Sequence, residues 1–293
     1  MKILHLDSGR EMRGGQWQVL RLIEGLTAAG VECTLLARPA APLFEMARRN
    51  GWRVEPLGLL RTLDLARRHD LVHTHDARSH TLALPARRAP LVVSRRVAFP
   101  ISAPWKYRRA RSFIAVSQHV RSVLRQGGVP DEKITVIHDG VPLLDKSWGT
   151  AVLAVDNTAD SQKGASLALQ AAQLSAVPLR LTTDLERDLV HAGVFVYITH
   201  TEGLGSAVLL AMSAGVAVIA SKIGGLPEII RHGENGLLVE NAVEAVAAAI
   251  HSLAERPDYA ACLGQAARRT VEENFTADRM VRRTMEVYRQ VLA

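Results

Sequence analysis

Cysteine is nearly absent from this chain. The two present, Cys33 and Cys262, stand far apart and lack nearby paired ligands, which leaves no disulfide framework and no zinc-binding spacing and fits a reducing compartment. Long apolar runs are missing too. The longest, residues 207–220, is interrupted by Ser213 and Gly215 and falls short of the roughly 20 residues that a membrane-spanning helix needs. The opening MKILHLD enters an apolar strand at once, without the charged region, apolar stretch and small-residue cleavage site of a signal peptide. A cytoplasmic protein is the expectation. The chain also lacks an internal repeat, a low-complexity tract, a GxGxxG fingerprint and a GxxxxGK phosphate loop.

What is present is a globular composition. Apolar residues make up 48% and charged residues 22% of 293 residues, a balance that excludes disordered and fibrous classes. The length fits two domains of ordinary size. A net charge of +7 comes mostly from arginine, and many of those arginines crowd into residues 87–125.

Hydrophobic patterning predicts alternating strands and helices. Residues 2–6 read as a buried strand, 9–15 as a glycine-bearing loop and 16–29 as a helix with Val19, Leu22, Ile23 and Leu26 on one face. Gly30 has the place of a left-handed cap, and 32–37 supplies the next strand, giving a βαβ unit with parallel strands. Further strands are predicted at 53–57, 71–74, 91–94, 113–116 and 134–138. A linker is expected over 143–150, where periodicity fades. A second alternation then begins, with strands at 151–155, 179–182, 194–199, 216–220 and 237–239 and helices near 165–175, 184–191 and 206–214. Three helices close the chain, at 242–254, 259–274 and 277–292.

Four stretches could carry chemistry. Gly14 and Gly15 would let backbone approach a ligand at the start of a helix, although many α/β first turns carry glycine for the turn alone. His73, Thr74, His75 and Asp76 follow a strand and so reach the carboxyl edge of a parallel sheet, where open α/β folds bind ligands. An imidazole there could bond a hydroxyl or move a proton, or simply be a core or capping residue; no further metal ligands are visible and no metal is expected. The stretch THTEGLG, residues 199–205, holds Glu202 at another such edge, as a binder of sugar hydroxyls or as a helix cap. Lys163, in DSQKG, could neutralise a diphosphate or be a solvated surface lysine. The basic, aromatic stretch with Arg95, Arg96, Trp105, Lys106, Arg108 and Arg109 suits an anionic membrane surface or an acceptor, with Pro100 and Pro104 against a continuous membrane-binding helix. No recognition helix or RNA-binding motif accompanies it, so nucleic acid is not an expected partner.

Residues 201–240, TEGLGSAVLLAMSAGVAVIASKIGGLPEIIRHGENGLLVE, resemble the donor-binding signature of family 4 glycosyltransferases, which have the GT-B fold. GGQWQVLRL near the N-terminus, LVHTHDA at 71–77, FIAVSQHV at 113–120 and KITVIHDGV at 133–141 carry the resemblance along nearly the whole chain. It implies an α/β chain of two Rossmann-like domains with parallel sheets facing across a cleft, the second domain reduced. Residues 1–143 would hold the acceptor and 151–275 the nucleotide sugar, while the last helix, 276–293, would pack back toward the first domain.

By the same resemblance, His75 would lie by the transferred sugar, and Gly14, Gly15 and Gln16 would line the cleft. Lys163 would meet the donor diphosphate. Glu202 would hold the sugar or assist at the reacting carbon, with Gly203, Leu204, Gly205 and Ser206 completing the donor loop. The implied reaction is sugar transfer from a UDP- or GDP-sugar to a glycan, glycolipid or other acceptor, with retention of configuration and without metal or cofactor; the basic aromatic stretch adds the expectation of a cytoplasmic protein peripheral on the inner face of the cytoplasmic membrane. The sequence departs from the family pattern in three ways. Leu210 stands where a second glutamate usually grips the ribose, no arginine precedes Lys163 in residues 157–162, and the span from Lys163 to Thr201 is short. A non-catalytic relative that binds a partner or glycan is the alternative reading.

Overall fold

The lysine-led apolar run KILHL forms the first strand, β1 (Lys2–Leu6), with four of its five side chains buried, as strands covered on both faces require. The computed structural model describes residues 1–160 and 163–293. In it the chain divides into two units, Met1–Gly140 with Ala277–Ala293, and Val141–Thr276.

The first unit continues through α1 (Gly14–Ala28), β2 (Glu32–Ala37), α2 (Pro42–Arg49), β3 (Arg53–Pro56), α3 (Leu59–Ala66) and β4 (Leu71–Thr74). After these come α4 (Ala77–Ala83), β5 (Leu91–Arg95), β6 (Ser112–Ala115), α5 (Gln118–Gln126) and β7 (Ile134–Val136). Its seven strands run parallel in the order β3-β2-β1-β4-β5-β6-β7. The direction of winding therefore reverses between β1 and β4, and open parallel sheets form their ligand crevice at the carboxyl ends of such a pair.

The second unit holds β8 (Ala151–Val155), α6 (Ala165–Leu174), β9 (Leu179–Thr182), α7 (Leu185–Asp188) and β10 (Ala192–Tyr197). It continues with α8 (Ser206–Ser213), β11 (Ala217–Ser221), β12 (Leu237–Val239), α9 (Val243–Ala254) and α10 (Pro257–Asn274). Five parallel strands in the order β12-β11-β10-β8-β9 put the reversal between β8 and β10. The last helix, α11 (Ala277–Leu292), belongs to the first unit. Its buried Met280, Val281, Val287 and Tyr288 join Ile3, Leu22, Leu26, Leu71 and Ile114 in one core.

Several expected boundaries move, each for a local reason. The first helix begins at Gly14, so Gly14, Gly15 and Gln16 form its opening turn and not a preceding loop. Strand β10 starts earlier and stops at Tyr197, because Thr199 leaves the sheet to form an isolated bridge with Lys163. The stretch 143–150 is no free linker. Its Ser147 and Trp148 amides donate to the carbonyls of Ala214 (2.9 Å) and Val190 (3.1 Å), which fastens it to the second unit. The first-unit helices α2 to α5, expected between the strands only as helical or basic stretches without bounds, are seven to nine residues long.

Candidate functional site

In the second unit, the two loops that follow β8 and β10 meet at the reversal point. Lys163 reaches it through the Lys163–Thr199 bridge and through the Gly164 amide, which donates to the Ile198 carbonyl at 2.9 Å. A Cβ on Gly164 would lie 2.5 Å from Ile198 Cγ2 and 3.0 Å from its carbonyl carbon; only glycine allows this approach. The loop after β10 is pinned from behind. Thr199 N donates to Ser221 Oγ (3.0 Å), Ser221 Oγ donates to Asn241 Oδ1 (2.6 Å), and Asn241 Nδ2 donates to the Thr199 carbonyl (2.9 Å).

The result is a compact polar triad. Lys163 Nζ donates to Glu202 Oε2 at 3.0 Å and to the Tyr197 hydroxyl at 3.1 Å, and that hydroxyl donates to the same Glu202 Oε2 at 2.6 Å. The other carboxylate oxygen, Oε1, accepts from Gly203 N at 3.0 Å. Glu202 therefore does not cap the following helix. Helix α8 starts instead from Gly205, in the left-handed region with φ 108°, and α6 starts from Gly164; neither cap residue supplies a side-chain acceptor. Two helix starts thus offer amides and positive dipole ends beside the triad. Leu204 and Leu210 are buried; Leu210 fills the core side of α8 with aliphatic surface. Ser206 is the first residue of α8. Of the DSQKG stretch, Ser161 and Gln162 lie outside the described residues.

At the first unit's reversal point, β1 and β4 place His5 opposite His73. Asp7 follows β1 and is 1% exposed. It accepts from Gly9 N at 2.8 Å and from Gln16 Nε2 at 3.1 Å on each oxygen, so Gln16 is tied to Asp7. Burial, and then the Asp76 carboxylate, push the Asp7 carboxyl above the usual range. Asp76 itself is the cap of α4, accepting from the amides of Arg78 (2.9 Å) and Ser79 (3.0 Å), and it also holds Ser8. Gly15 lies beside Arg96, whose Cδ would be 3.8 Å from an added Cβ.

His75 sits in the middle of this edge. Its Nε2 is 3.0 Å from His5 Nδ1 and its Nδ1 is 3.4 Å from Arg96 Nη1. A guanidinium only donates, so Nδ1 of His75 accepts and Nε2 carries the proton, which it donates to His5. His5 then holds its own proton on Nε2, which has no partner among the described residues. Burial first, then His73 and Arg96, hold the His75 imidazole well below the usual histidine range. His73 is a core residue, bonded to the Tyr288 hydroxyl (2.6 Å) and Ser94 Oγ (2.8 Å).

The ligating nitrogens of His5, His73 and His75 lie within 4.8 Å of one another, close enough to gather a metal ion. Their bonds to each other, to Tyr288 and to Ser94, together with a guanidinium alongside, describe a neutral hydrogen-bonded cluster better than a cation site.

The basic stretch divides in two. Arg95 and Arg96, expected at the surface, are turned inward. Arg95 bonds the Tyr107 hydroxyl at 2.7 Å, the Val97 carbonyl at 3.1 Å and the Phe99 carbonyl. Arg96 pairs with Asp139 at 3.2 Å, with both side chains mostly buried. Arg109 also serves the fold, donating to the carbonyls of Ala86 (2.7 Å) and Ala89 (3.2 Å). Trp105 and Arg108 are exposed, and Lys106 lies between Thr81 Oγ1 (3.0 Å) and the Trp105 ring (5.8 Å). Among the described residues no helix is long and apolar enough to cross a membrane.

Sequence reasoning passed over Tyr197, Asp7 and His5. Each carries a polar group in or just after a run that otherwise reads as buried apolar strand, and that oddity is the signal that could have found them.

Comparison with known proteins agrees with this layout. The model of the "Glycosyltransferase Family 4" family matches residues 12–143, and that of "Glycosyl transferases group 1" matches residues 165–270. Alpha-maltose-1-phosphate synthase of Mycolicibacterium smegmatis is 39% identical over 121 residues, covering 39% of this chain and 31% of that protein. N-acetyl-alpha-D-glucosaminyl L-malate synthase of Bacillus anthracis is 30% identical over 105 residues, covering 36% and 28%. The matches thus span less than a third of those relatives' length. Among solved structures, Anabaena Alr3699/HepE in complex with UDP and glucose superposes with a TM-score of 0.87 at 18% identity, covering 98% of this chain and 99% of that one. Sucrose-phosphate synthase from Thermosynechococcus elongatus does so at 0.81 and 18%, covering 99% and 98%. Family models that together run from residue 12 to residue 270, and a shared architecture of parallel sheets, give one conclusion: the chain belongs to the family 4-like glycosyltransferases and has the GT-B fold.

Proposed function

We propose that this protein transfers a hexose from a nucleoside diphosphate sugar, a UDP- or GDP-sugar, to a glycan, glycolipid or other lipid-linked acceptor, with retention of configuration. The observation that carries the reading is the Lys163–Glu202–Tyr197 triad at the reversal point of the second unit's sheet, flanked by two helix starts without side-chain caps. Transfer through an oxocarbenium-like transition state builds negative charge on the departing diphosphate. The Lys163 ammonium and the amides that open α6 and α8 are the groups that answer it. Glu202 accepts from sugar hydroxyls. At the first unit's edge a neutral His75 offers Nδ1, whose 3.4 Å contact with Arg96 is the weaker of its two bonds, to accept from a substrate hydroxyl in place of the guanidinium, and the acceptor proton leaves with the diphosphate. UDP in the structure of the similar Anabaena protein, and the GDP-mannose dependence named for a Mycobacterium tuberculosis mannosyltransferase 37% identical over 89 residues, support this donor class.

Calorimetric titration with UDP, GDP and their sugar conjugates tests the proposal. Saturable binding is expected, weakened about tenfold or more by Lys163→Ala or Glu202→Ala, since each deletion removes a charge-assisted bond. His75→Ala should lower turnover more than donor affinity. A wild-type protein that binds none of these ligands would overturn the reading.

We further propose that the protein works in the cytoplasm at the inner face of the membrane, docking through Val97 (44% exposed), Phe99 (50%) and Trp105 (61%) with the charges of Lys106 and Arg108. Sedimentation with vesicles rich in anionic lipid should pull the protein down at low salt and release it at high salt. Equal recovery on neutral vesicles would refute the electrostatic part.

A further inference from the structure

Strand β10 reads AGVFVY, and all but Gly193 are buried. Four of these, Ala192, Val194, Phe195 and Val196, would be at home in any parallel sheet; the last residue of the strand carries a hydroxyl. Tyr197 pairs in register with Ala220 of β11 and stacks on Phe195 across a 6.1 Å centroid separation, so its ring is fixed by the sheet and by packing. Phenol rings anchored in this way deliver their oxygen to one place with little rotational freedom.

The place is the gap between a cation and an anion. Tyr197 O–H donates to Glu202 Oε2 (2.6 Å) while its oxygen accepts from Lys163 Nζ (3.1 Å), and Nζ stands 5.4 Å from the ring centroid. A hydroxyl can serve both partners at once because it is donor and acceptor together. Glu202 has a single-residue tether on its other side, the Gly203 amide. Without the hydroxyl, the ammonium would be held by its single bond to Oε2, and the carboxylate by that bond and the Gly203 amide, in a pair that is part-exposed. With it, both donors converge on Oε2, and the Lys163 ammonium keeps one N–H beyond these two bonds.

We propose that Tyr197 is a positioning residue that fixes Lys163 and Glu202 in a shared hydrogen-bonded arrangement ready for the nucleotide sugar. This rests on the donor-site reading above. Burial, followed by the Glu202 charge, pushes the phenol well above its usual range, so the proton that bonds Glu202 is kept throughout the working pH range. The ring holds the position, and the oxygen sets the geometry.

Tyr197→Phe separates the two, because it keeps the stacking on Phe195 and the ring beneath Lys163 and removes only the oxygen. The melting temperature should stay close to that of the wild type, while the KM for the donor rises about tenfold, kcat falls less, and the acceptor KM is unchanged. In a Glu202→Gln background the same change should alter donor affinity by clearly less than about tenfold, because part of the hydroxyl's effect runs through that carboxylate and only its bond to Lys163 remains; two independent sites would add. Additive effects in this cycle, or a donor KM that does not move, would overturn the proposal.

A readout that needs no nucleotide keeps it apart from the donor-site reading. Acetylation of Lys163 by acetic anhydride, followed by mass spectrometry of the intact chain's peptides, should run about threefold faster in Tyr197→Phe, since one of the two bonds that immobilise and shield the amine is gone. An unchanged rate refutes the positioning role whether or not a nucleotide binds. Wild-type protein that binds no UDP or GDP derivative, combined with the faster acetylation, would refute the donor-site reading and leave the positioning intact.

Discussion

Four imidazoles of the first unit, those of His5, His73, His75 and His80, should fail to titrate between pH 8 and pH 5, and the unit should become less stable over the same interval. Burial is the first cause in each case. It holds His5 at about 3 and His80 at about 4, and it places His73 and His75 well below the usual 6.5. The sign follows from linkage. Between the folded and unfolded values the unfolded chain binds protons that the native state refuses, so this stability is present above about pH 6.5 and is lost as pH falls. For His5 and His80 this amounts to roughly 2 kcal/mol each between pH 7.5 and 5, against a typical domain stability of about 5–15 kcal/mol, and His73 and His75 act in the same direction. Asp7 opposes them: its raised carboxyl takes up a proton in the native state first, which moderates the loss at the acid end. Imidazole resonances followed by NMR would show no midpoint near 6.5 for these four. A normal midpoint for His75 would mean that its ring is not buried in solution as it is in this fold. The functional consequence is direct, because a neutral His75 enters the reaction as a hydrogen-bonding group and adds no acid limb of its own to the rate profile.

Much of the fold was legible because buried parallel strands leave a strong trace. KILHL, ECTLLA, LVHT and AVLAV read as strands at the same residues that form them, since both of their faces must be apolar. Helices α2 to α5 left little trace, being short and rich in charge, with only two or three buried residues each; their helicity comes from docking on the sheet more than from periodicity. Lys163 and Glu202 could each be placed on a loop at a sheet edge. That they touch depends on β8 and β10 being neighbours, a fact of strand order that no local pattern carries. Arg95 and Arg96 misled for the opposite reason. Charge in a basic stretch suggests exposure, yet at the end of β5 carbonyls, a phenol and the Asp139 carboxylate satisfy the guanidiniums inside the protein. Tyr197 looked like core because its ring is core, and only the atom at its tip belongs to the site.

Gly224→Ala should abolish donor binding far more thoroughly than its loss of stability would suggest. The loop after β11 folds back onto the loop that bears Glu202, with Gly224 at φ 57° in the left-handed region. A Cβ there would lie 2.1 Å from the Glu202 carbonyl oxygen, 3.0 Å from its carbon and 3.3 Å from its nitrogen. These are backbone atoms, so no side-chain rotation relieves the clash, and the Glu202 backbone must move. The left-handed conformation alone costs alanine about 1–2 kcal/mol. Displacement adds to that, because Glu202 Oε2 and Lys163 Nζ are held by bonds of 2.6–3.1 Å that a shift of even 1 Å breaks. We expect donor affinity at least about a hundredfold weaker, or about 2.7 kcal/mol. Gly233→Ala is the matched control: at φ 79° it bears a comparable conformational penalty, but the nearest atom to its Cβ is Tyr259 Oη at 4.0 Å, and it should melt lower while binding the donor normally. Equal donor affinities in the two variants would show that the Glu202 loop tolerates the displacement, and would remove the precise placement of this carboxylate from the account of how the site works.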